Sequence, residues 1–333
     1  MARSELGSRR SIALASVLDH PPAGLAKHTL DSPMIHVLTR VTDEVFSFLG
    51  PATASMVAKG WSQLVIAYDE PGTHRRVQQL DTRVEVRLVP LGGGPVAEWL
   101  RLRACVKAAL CEQPEIAALH LHGFVSSLLG MSVVRALRFE VPVYFSPHSS
   151  YVLGPLRFAA RLLMAVLGAL GIGERPHPIA SLSTDFDRLE GLTRSEISLV
   201  ESPVSSRFFE LVRTESTRAT IVAGGQVTAG EEALDMFLRF AVLLRDTEAA
   251  PRFVWLGHVS AEQRVRLKAT GVGMVDREDE AGRLQLLATA WVYIAPAGGR
   301  GVPVGLAEAM ASGLACVAAE TPFHRDVVMH DRT

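Results

Sequence analysis

The chain of 333 residues is short of cysteine, of net charge and of long hydrophobic runs, and each shortage removes a class of protein. Cys105, Cys111 and Cys316 are scattered thiols without a CxxC pair. That pattern argues against a disulfide framework and a zinc site, and it fits a reducing compartment. Lys plus Arg number 34 and Asp plus Glu 35, so the net charge is -1 and no basic surplus marks a nucleic-acid binder. The most apolar stretch, Leu162 to Ile172, follows Arg157 and Arg161 and is too short to span a bilayer. It reads as a core-packed helix, with peripheral membrane contact through 157–172 as the alternative. Ser8-Arg9-Arg10-Ser11 looks like a twin-arginine export motif. The apolar run behind it stops at Asp19, ahead of Pro21-Pro22, so export is not expected.

What is present is 48% hydrophobic sequence in a chain long enough for two ordinary domains. Residues 1–33 have no clear period and contain Pro21, Pro22 and Pro33, which predicts a loosely attached extension. Short apolar runs then alternate with helical patterns. Strands are expected at 35–39, 63–67, 84–89, 117–122, 142–146 and 179–183, with helices at 52–59 and 96–110. The pattern restarts after Glu215-Ser216-Thr217 with strands at 219–223 and 252–256 and helices at 232–244 and 283–289. Such alternation implies parallel βαβ units, hence two Rossmann-like α/β domains, 34–210 and 211–333, with a cleft between the carboxyl ends of their sheets.

Tyr293 to Glu320, YIAPAGGRGVPVGLAEAMASGLACVAAE, is the most informative stretch. A buried strand leads into a loop where Gly298, Gly299 and Gly301 let the backbone approach a ligand closely. Beyond Pro303 a helix is expected to start near Val304 to Leu306 and to be closed by Gly313. Its unpaired N–H groups and positive dipole end favour an anion, and Glu308 one turn in can accept from ligand hydroxyls. A diphosphate joined to a sugar suits both features.

These residues resemble the nucleotide-sugar site of the family-4 glycosyltransferases, retaining enzymes of the GT-B fold. Glu308-Ala309-Met310-Ala311-Ser312-Gly313 is similar to the family's "LEAMA-G" helix, and Leu314 to Ala318 to its following strand. Leu119-His120-Leu121-His122-Gly123 resembles the "vvHaHs" strand end, and Ser146-Pro147-His148-Ser149 the "TPHG" turn. Val200 to Val204 with Arg207-Phe208-Phe209 resembles "vipNpvD..rF", and Val222 to Gly225 resembles "lyvGrl". The resemblance covers nearly everything from Ile35 onward. It implies that Glu308 holds the donor ribose, that Val304, Gly305, Leu306 and Gly301 line the diphosphate, and that His148 lies by the transferred sugar. His122, Gly123 and Ser149 would stand on the acceptor side, with no metal and no cofactor beyond the sugar nucleotide.

Four positions depart from the family. Aligning Gly225 with the "vG" glycine puts Gln226 where the family has arginine and Glu231 where it has lysine. Two unit charges about 4 Å apart interact by roughly 4 kcal/mol at an effective dielectric near 20, so that exchange turns attraction into repulsion. Arg300 stands where the family has its first glutamate, and its fork of donors suits phosphate, which makes it a candidate replacement cation. Trp291 replaces an aspartate common before that strand. His120 and His122 project the same way from their strand, a geometry open to a metal, but the sequence shows no third ligand nearby.

The leading expectation is a cytosolic retaining glycosyltransferase, with association at the membrane surface as the alternative location. It would move a hexose from a nucleoside diphosphate sugar to a glycan or lipid-linked acceptor in polysaccharide or glycolipid biosynthesis. The alternative is a catalytically silent GT-B scaffold that binds a partner glycosyltransferase or a glycan. A nucleotide-sugar epimerase of similar architecture is the third reading.

Overall fold

The computed structural model describes residues 32–113, 115–148, 176–190, 196–214, 216–224, 231–247, 250–277, 279–296 and 302–328. The chain divides into two compact units, one ending at Pro203 and one starting at Val204. The expected boundary at 210/211 moves earlier because Phe208, in the helix Ser206–Phe209, packs into the second unit's core with Tyr293 and Leu306.

The first unit holds strands β1 Met34–Leu38, β2 Gln63–Asp69, β3 Glu85–Pro90, β4 Ala118–His122, β5 Val143–Ser146, β6 His177–Ala180 and β7 Ser198–Leu199. They form one sheet in the order β3-β2-β1-β4-β5-β6-β7, and every pair is parallel. β1, β4 and β5 are buried at every position, as strands covered on both faces must be. Ile35, Val37, Leu64, Ile66, Leu119 and Leu121 meet Leu102, Val106 and Leu110 of the helix Pro95–Glu112, and Leu129 and Val133 of the helix Phe124–Leu137. On the opposite face Leu38, Val65 and Ala67 meet Val45, Phe46, Leu49 and Val57 of the helix Asp43–Ala58. That helix is longer than the 52–59 expected. The Thr42 side chain accepts from Val45 N and starts it early, and Pro51 sits inside it without ending it.

The second unit holds β8 Thr220–Gly224, β9 Arg252–Leu256, β10 Gly273–Val275, β11 Val292–Ala295 and β12 Ala315–Ala318. Their order is β10-β9-β8-β11-β12, again all parallel. The helices Glu232–Leu244 and Val304–Ala311 lie where the sequence placed them, and Gly313 follows the latter in the left-handed region at φ +66°. Each sheet reverses its strand order once beside its first strand, between β1 and β4 and between β8 and β11. The carboxyl ends at such reversals are where open α/β sheets take ligands. Among the described residues no helix is long and apolar enough to cross a membrane. Residues 1–31 and 157–172 lie outside the described residues.

Gly224 ends β8 against two immovable neighbours. A Cβ there would stand 2.6 Å from the Leu256 carbonyl oxygen and 2.8 Å from Tyr293 Oη. Gly224→Ala is therefore expected to destabilise the second unit by about 1–3 kcal/mol, the usual range for overpacking. The chemical denaturation midpoint measures it, and an unchanged midpoint would show that β8 and β9 can part freely.

Candidate functional site

Strand register assembles the first candidate site. His36 on β1 is paired with His120 on β4, and Leu38 with His122. β5 then sets Ser146 beside His122, while β2 places Gln63 two residues before Val65, the partner of His36. Because side chains alternate along strands, Gln63, His36, His120, His122 and Ser146 share one sheet face. His120 and His122 ring centroids lie 4.0 Å apart. Phe48, from the helix Asp43–Ala58, sets its ring 6.4 Å from both and 6.0 Å from His148.

The hydrogen bonds run in one direction. Gln63 Nε2 donates to the Ser62 carbonyl at 3.0 Å, so Gln63 Oε1 accepts from His36 Nε2–H at 2.9 Å. The neutral His36 then has only Nδ1 as an acceptor, and His122 Nε2–H donates to it at 3.1 Å. His122 Nδ1 in turn accepts from His148 Nε2–H at 2.9 Å. His120 Nε2 bonds separately to Ser146 Oγ at 2.8 Å. Burial lowers His36 to about 4, opposed by its bond to Gln63, and lowers His148 to about 4 as well. Burial, with repulsion among the rings second, holds His120 and His122 well below the ordinary histidine value. All four are neutral at pH 7. His148 is half-buried and has φ +46°, a left-handed conformation uncommon for a residue with a side chain, and it sits just past the β5 end.

The second candidate site lies behind β11. Glu308, on the helix Val304–Ala311, is only 4% exposed. Arg277, in the turn after β10, grips it with both arms, Nη1 2.8 Å from Oε2 and Nη2 3.0 Å from Oε1. Arg283 adds Nη2 at 3.5 Å from Oε1, donates through Nη1 to the Arg277 carbonyl and stacks over the Phe208 ring at 5.7 Å. Burial pulls Arg283 below the usual guanidinium range against the opposing charge of Glu308. Arg277 lies beside the start of the helix, where no side chain caps the N-terminus, and Asp279 and Glu280 add negative charge around Arg283. Gly305 is needed here, since a Cβ on it would stand 2.5 Å from Tyr293 Oη and 3.8 Å from Arg277 Nη1.

Comparison with known proteins decides the family. Residues 218–333 match the family described as Glycosyl transferases group 1, and residues 50–171 the Glycosyl transferase 4-like domain. The chain belongs to the family-4 glycosyltransferases. No curated protein sequence matches it. Among solved structures it is similar to Anabaena Alr3699/HepE in complex with UDP and glucose, at 13% identity and TM-score 0.62, covering 90% of this chain and 83% of that one. Sucrose-phosphate synthase from Thermosynechococcus elongatus is similar at 12% identity and TM-score 0.62, covering 87% and 82%. UDP-GlcNAc 2-epimerase from Methanocaldococcus jannaschii shares the architecture at 12% identity and TM-score 0.55, covering 86% and 83%. At these identities the likeness shows the GT-B fold.

The structure brings the expected family-4 site residues His122 and His148 into one bonded chain and puts Gly123 directly after β4, at the start of the helix Phe124–Leu137. Val304, Gly305 and Leu306 form the first turn of the expected helix. Glu308 is the correction. Its carboxylate was expected to be open to a ligand, and Arg277 and Arg283 occupy it instead. Glu231 is exposed and lies 3.5 Å from Arg266, so its charge is not directed unopposed at a donor. Gly225, Gln226, Arg300, Gly301 and Ser149 lie outside the described residues. Sequence reasoning missed His36, Gln63, Arg277 and Arg283. A polar His36 inside the otherwise apolar β1 was the available signal for the first pair; nothing local announced the two arginines.

Two substitutions test these networks by chemical denaturation. Glu308→Gln removes the charged partner of the buried Arg283 and the half-buried Arg277 and is expected to destabilise the second unit by about 3–5 kcal/mol; a midpoint within error of the parent would mean the clamp is solvated. Gln63→Leu leaves the buried His36 Nε2–H unpaired and should destabilise the first unit by about 1–3 kcal/mol. An unaltered first unit would show that the histidine chain does not depend on its Gln63 anchor.

Proposed function

We propose that this protein transfers a hexose from a nucleoside diphosphate sugar, with retention, to a hydroxyl of a glycan or lipid-linked acceptor, in polysaccharide or glycolipid biosynthesis at the cytoplasmic side. The observation that carries this reading is that both units match glycosyltransferase families, each in its proper place along the chain. A similar fold holds UDP and glucose in HepE, which supports the choice of donor class.

In this reading the donor diphosphate sits at the N-terminus of the helix Val304–Ala311, where the helix dipole and Arg277 both favour an anion. Ribose hydroxyls replace the Arg277 fork on Glu308, and the released guanidinium remains beside the phosphates. Arg300 adds a second cation from the loop after β11, in place of those missing at Gln226 and Glu231. Gly225 and Gly301 allow close backbone approach, and His148 hydrogen-bonds the transferred sugar, with His122, Gly123 and Ser149 on the acceptor side. Stabilising the leaving diphosphate and orienting the acceptor supply the catalysis. The transfer itself calls for no cofactor and no metal at the diphosphate.

A silent GT-B scaffold is the second reading, and the Arg277–Glu308 ion pair is the observation that favours it. Titration calorimetry with UDP, GDP and their sugars separates the two. Binding of one nucleotide sugar by the parent, lost in Arg300→Glu at fixed ionic strength, is the expected result. A parent that binds none of them overturns the transferase reading, and equal affinity in Arg300→Glu removes that residue from the donor site. Analysis of the sugar product distinguishes transfer from epimerisation.

A further inference from the structure

We propose that His36, His120 and His122 bind a divalent transition-metal ion of the zinc type inside the first unit, at a cluster that includes the acceptor-side His122. One ring nitrogen from each residue lies within 4.8 Å of the others, and all three residues are buried. The sequence offered only the pair two apart on β4, and the register of β1 against β4 supplies the third imidazole.

The atoms around the rings support ligation. A metal-bound histidine presents one nitrogen to the ion and donates the N–H of the other to an outer acceptor. Gln63 Oε1 is such a partner for His36 at 2.9 Å and Ser146 Oγ can be one for His120 at 2.8 Å, while His148 Nε2, 2.9 Å from His122 Nδ1, becomes one once its own proton has moved to Nδ1. The inner pair, His36 Nδ1 and His122 Nε2, stands 3.1 Å apart, close to the edge of about 3.3 Å that zinc–nitrogen bonds near 2.05 Å give in a tetrahedron. The wider 4.8 Å separation in the group must contract toward that edge as the rings turn inward.

Proton bookkeeping is neutral. Before binding, His122 carries its proton on Nε2 toward His36. On binding, that proton moves to Nδ1 and is donated to His148 Nε2, while the His148 proton moves to its own Nδ1. Three neutral imidazoles remain as ligands, each keeping one N–H for an outer acceptor. An all-imidazole set with no carboxylate or thiolate suits zinc, cobalt, nickel or copper and not magnesium or calcium. Three protein ligands leave a fourth position for water or for an oxygen of a bound molecule. Phe48 supplies an apolar wall on one side of the rings.

The test uses the full chain, free of any added tag, stripped with a chelator and titrated with Zn²⁺ or Co²⁺. The expected result is one ion per chain and a visible Co²⁺ spectrum of a tetrahedral nitrogen site without thiolate charge-transfer bands. Binding should be lost in His36→Gln and in His120→Gln and retained in His74→Ala, whose side chain is 74% exposed. Gln63→Leu, which removes an outer acceptor, should weaken the ion about 10–100-fold. Absence of stoichiometric binding by the parent overturns the proposal, whether or not the variants fold. So does a thiolate band, which would place the ion on Cys105, Cys111 or Cys316, and so does binding that survives both His36→Gln and His120→Gln.

Discussion

A parallel sheet with helices on both faces has no wet side, so every polar side chain on its strands must find its partner inside the protein. That constraint governs the first unit. His36 sits at the centre of β1, 2% exposed, between Ile35 and Val37, which face the opposite core. Neutral imidazole solves the problem because it carries one donor and one acceptor, so rings can be linked head to tail without burying charge. Gln63 fixes the direction of the chain at one end, and His148 lies at the other, where β5 gives way to its loop. Gln63 Oε1 thus sets which His36 nitrogen carries the proton.

The second unit meets the same constraint with charge. Glu308 lies one turn into a helix whose positive end already favours a carboxylate. A lone buried carboxylate would still be costly, and the Arg277 fork with Arg283 behind it removes most of that cost. Gly305 and Tyr293 set the space in which Arg277 lies. Expecting Glu308 to wait for a ribose treated the helix in isolation. Arg277 comes from the turn after β10 and Arg283 from the helix Glu280–Thr289, so two separate elements meet the one buried carboxylate.

Most of the architecture was legible from periodicity, because buried parallel strands read as short apolar runs and the helices between them carry clear start and stop residues. The helix Glu232–Leu244 and the strand Arg252–Leu256 fall on the expected residues. Capping chemistry explains one difference: Thr42 starts at Asp43 a helix that was expected only from Ala52 onward. The candidate sites were only half legible, for a different reason. His120 and His122 declare themselves by spacing two apart, but their meeting with His36 depends on β1–β4 register across 86 residues of chain, which no local pattern encodes. Arg277 reaches Glu308 across 31 residues from a turn behind a three-residue strand, an element too short to leave a periodic trace.

The two sites therefore differ in what can disturb them. Neutral rings bonded in sequence can pass a rearrangement along, since each tautomer is set by the next, and a change at Gln63 is felt at His148 through two intervening rings. A carboxylate clamped by two guanidinium groups has no such freedom. Its partners either stay or are replaced by a ligand that brings its own hydrogen bonds, because a vacated Glu308 or a stranded Arg283 would be a bare charge in a dry interior. On the proposed donor reading, entry at Glu308 is an exchange of partners and not the filling of an open site. A ligand offering hydroxyls to Glu308 and phosphate to Arg277 satisfies both halves at once, whereas a free sugar or a free phosphate satisfies only one.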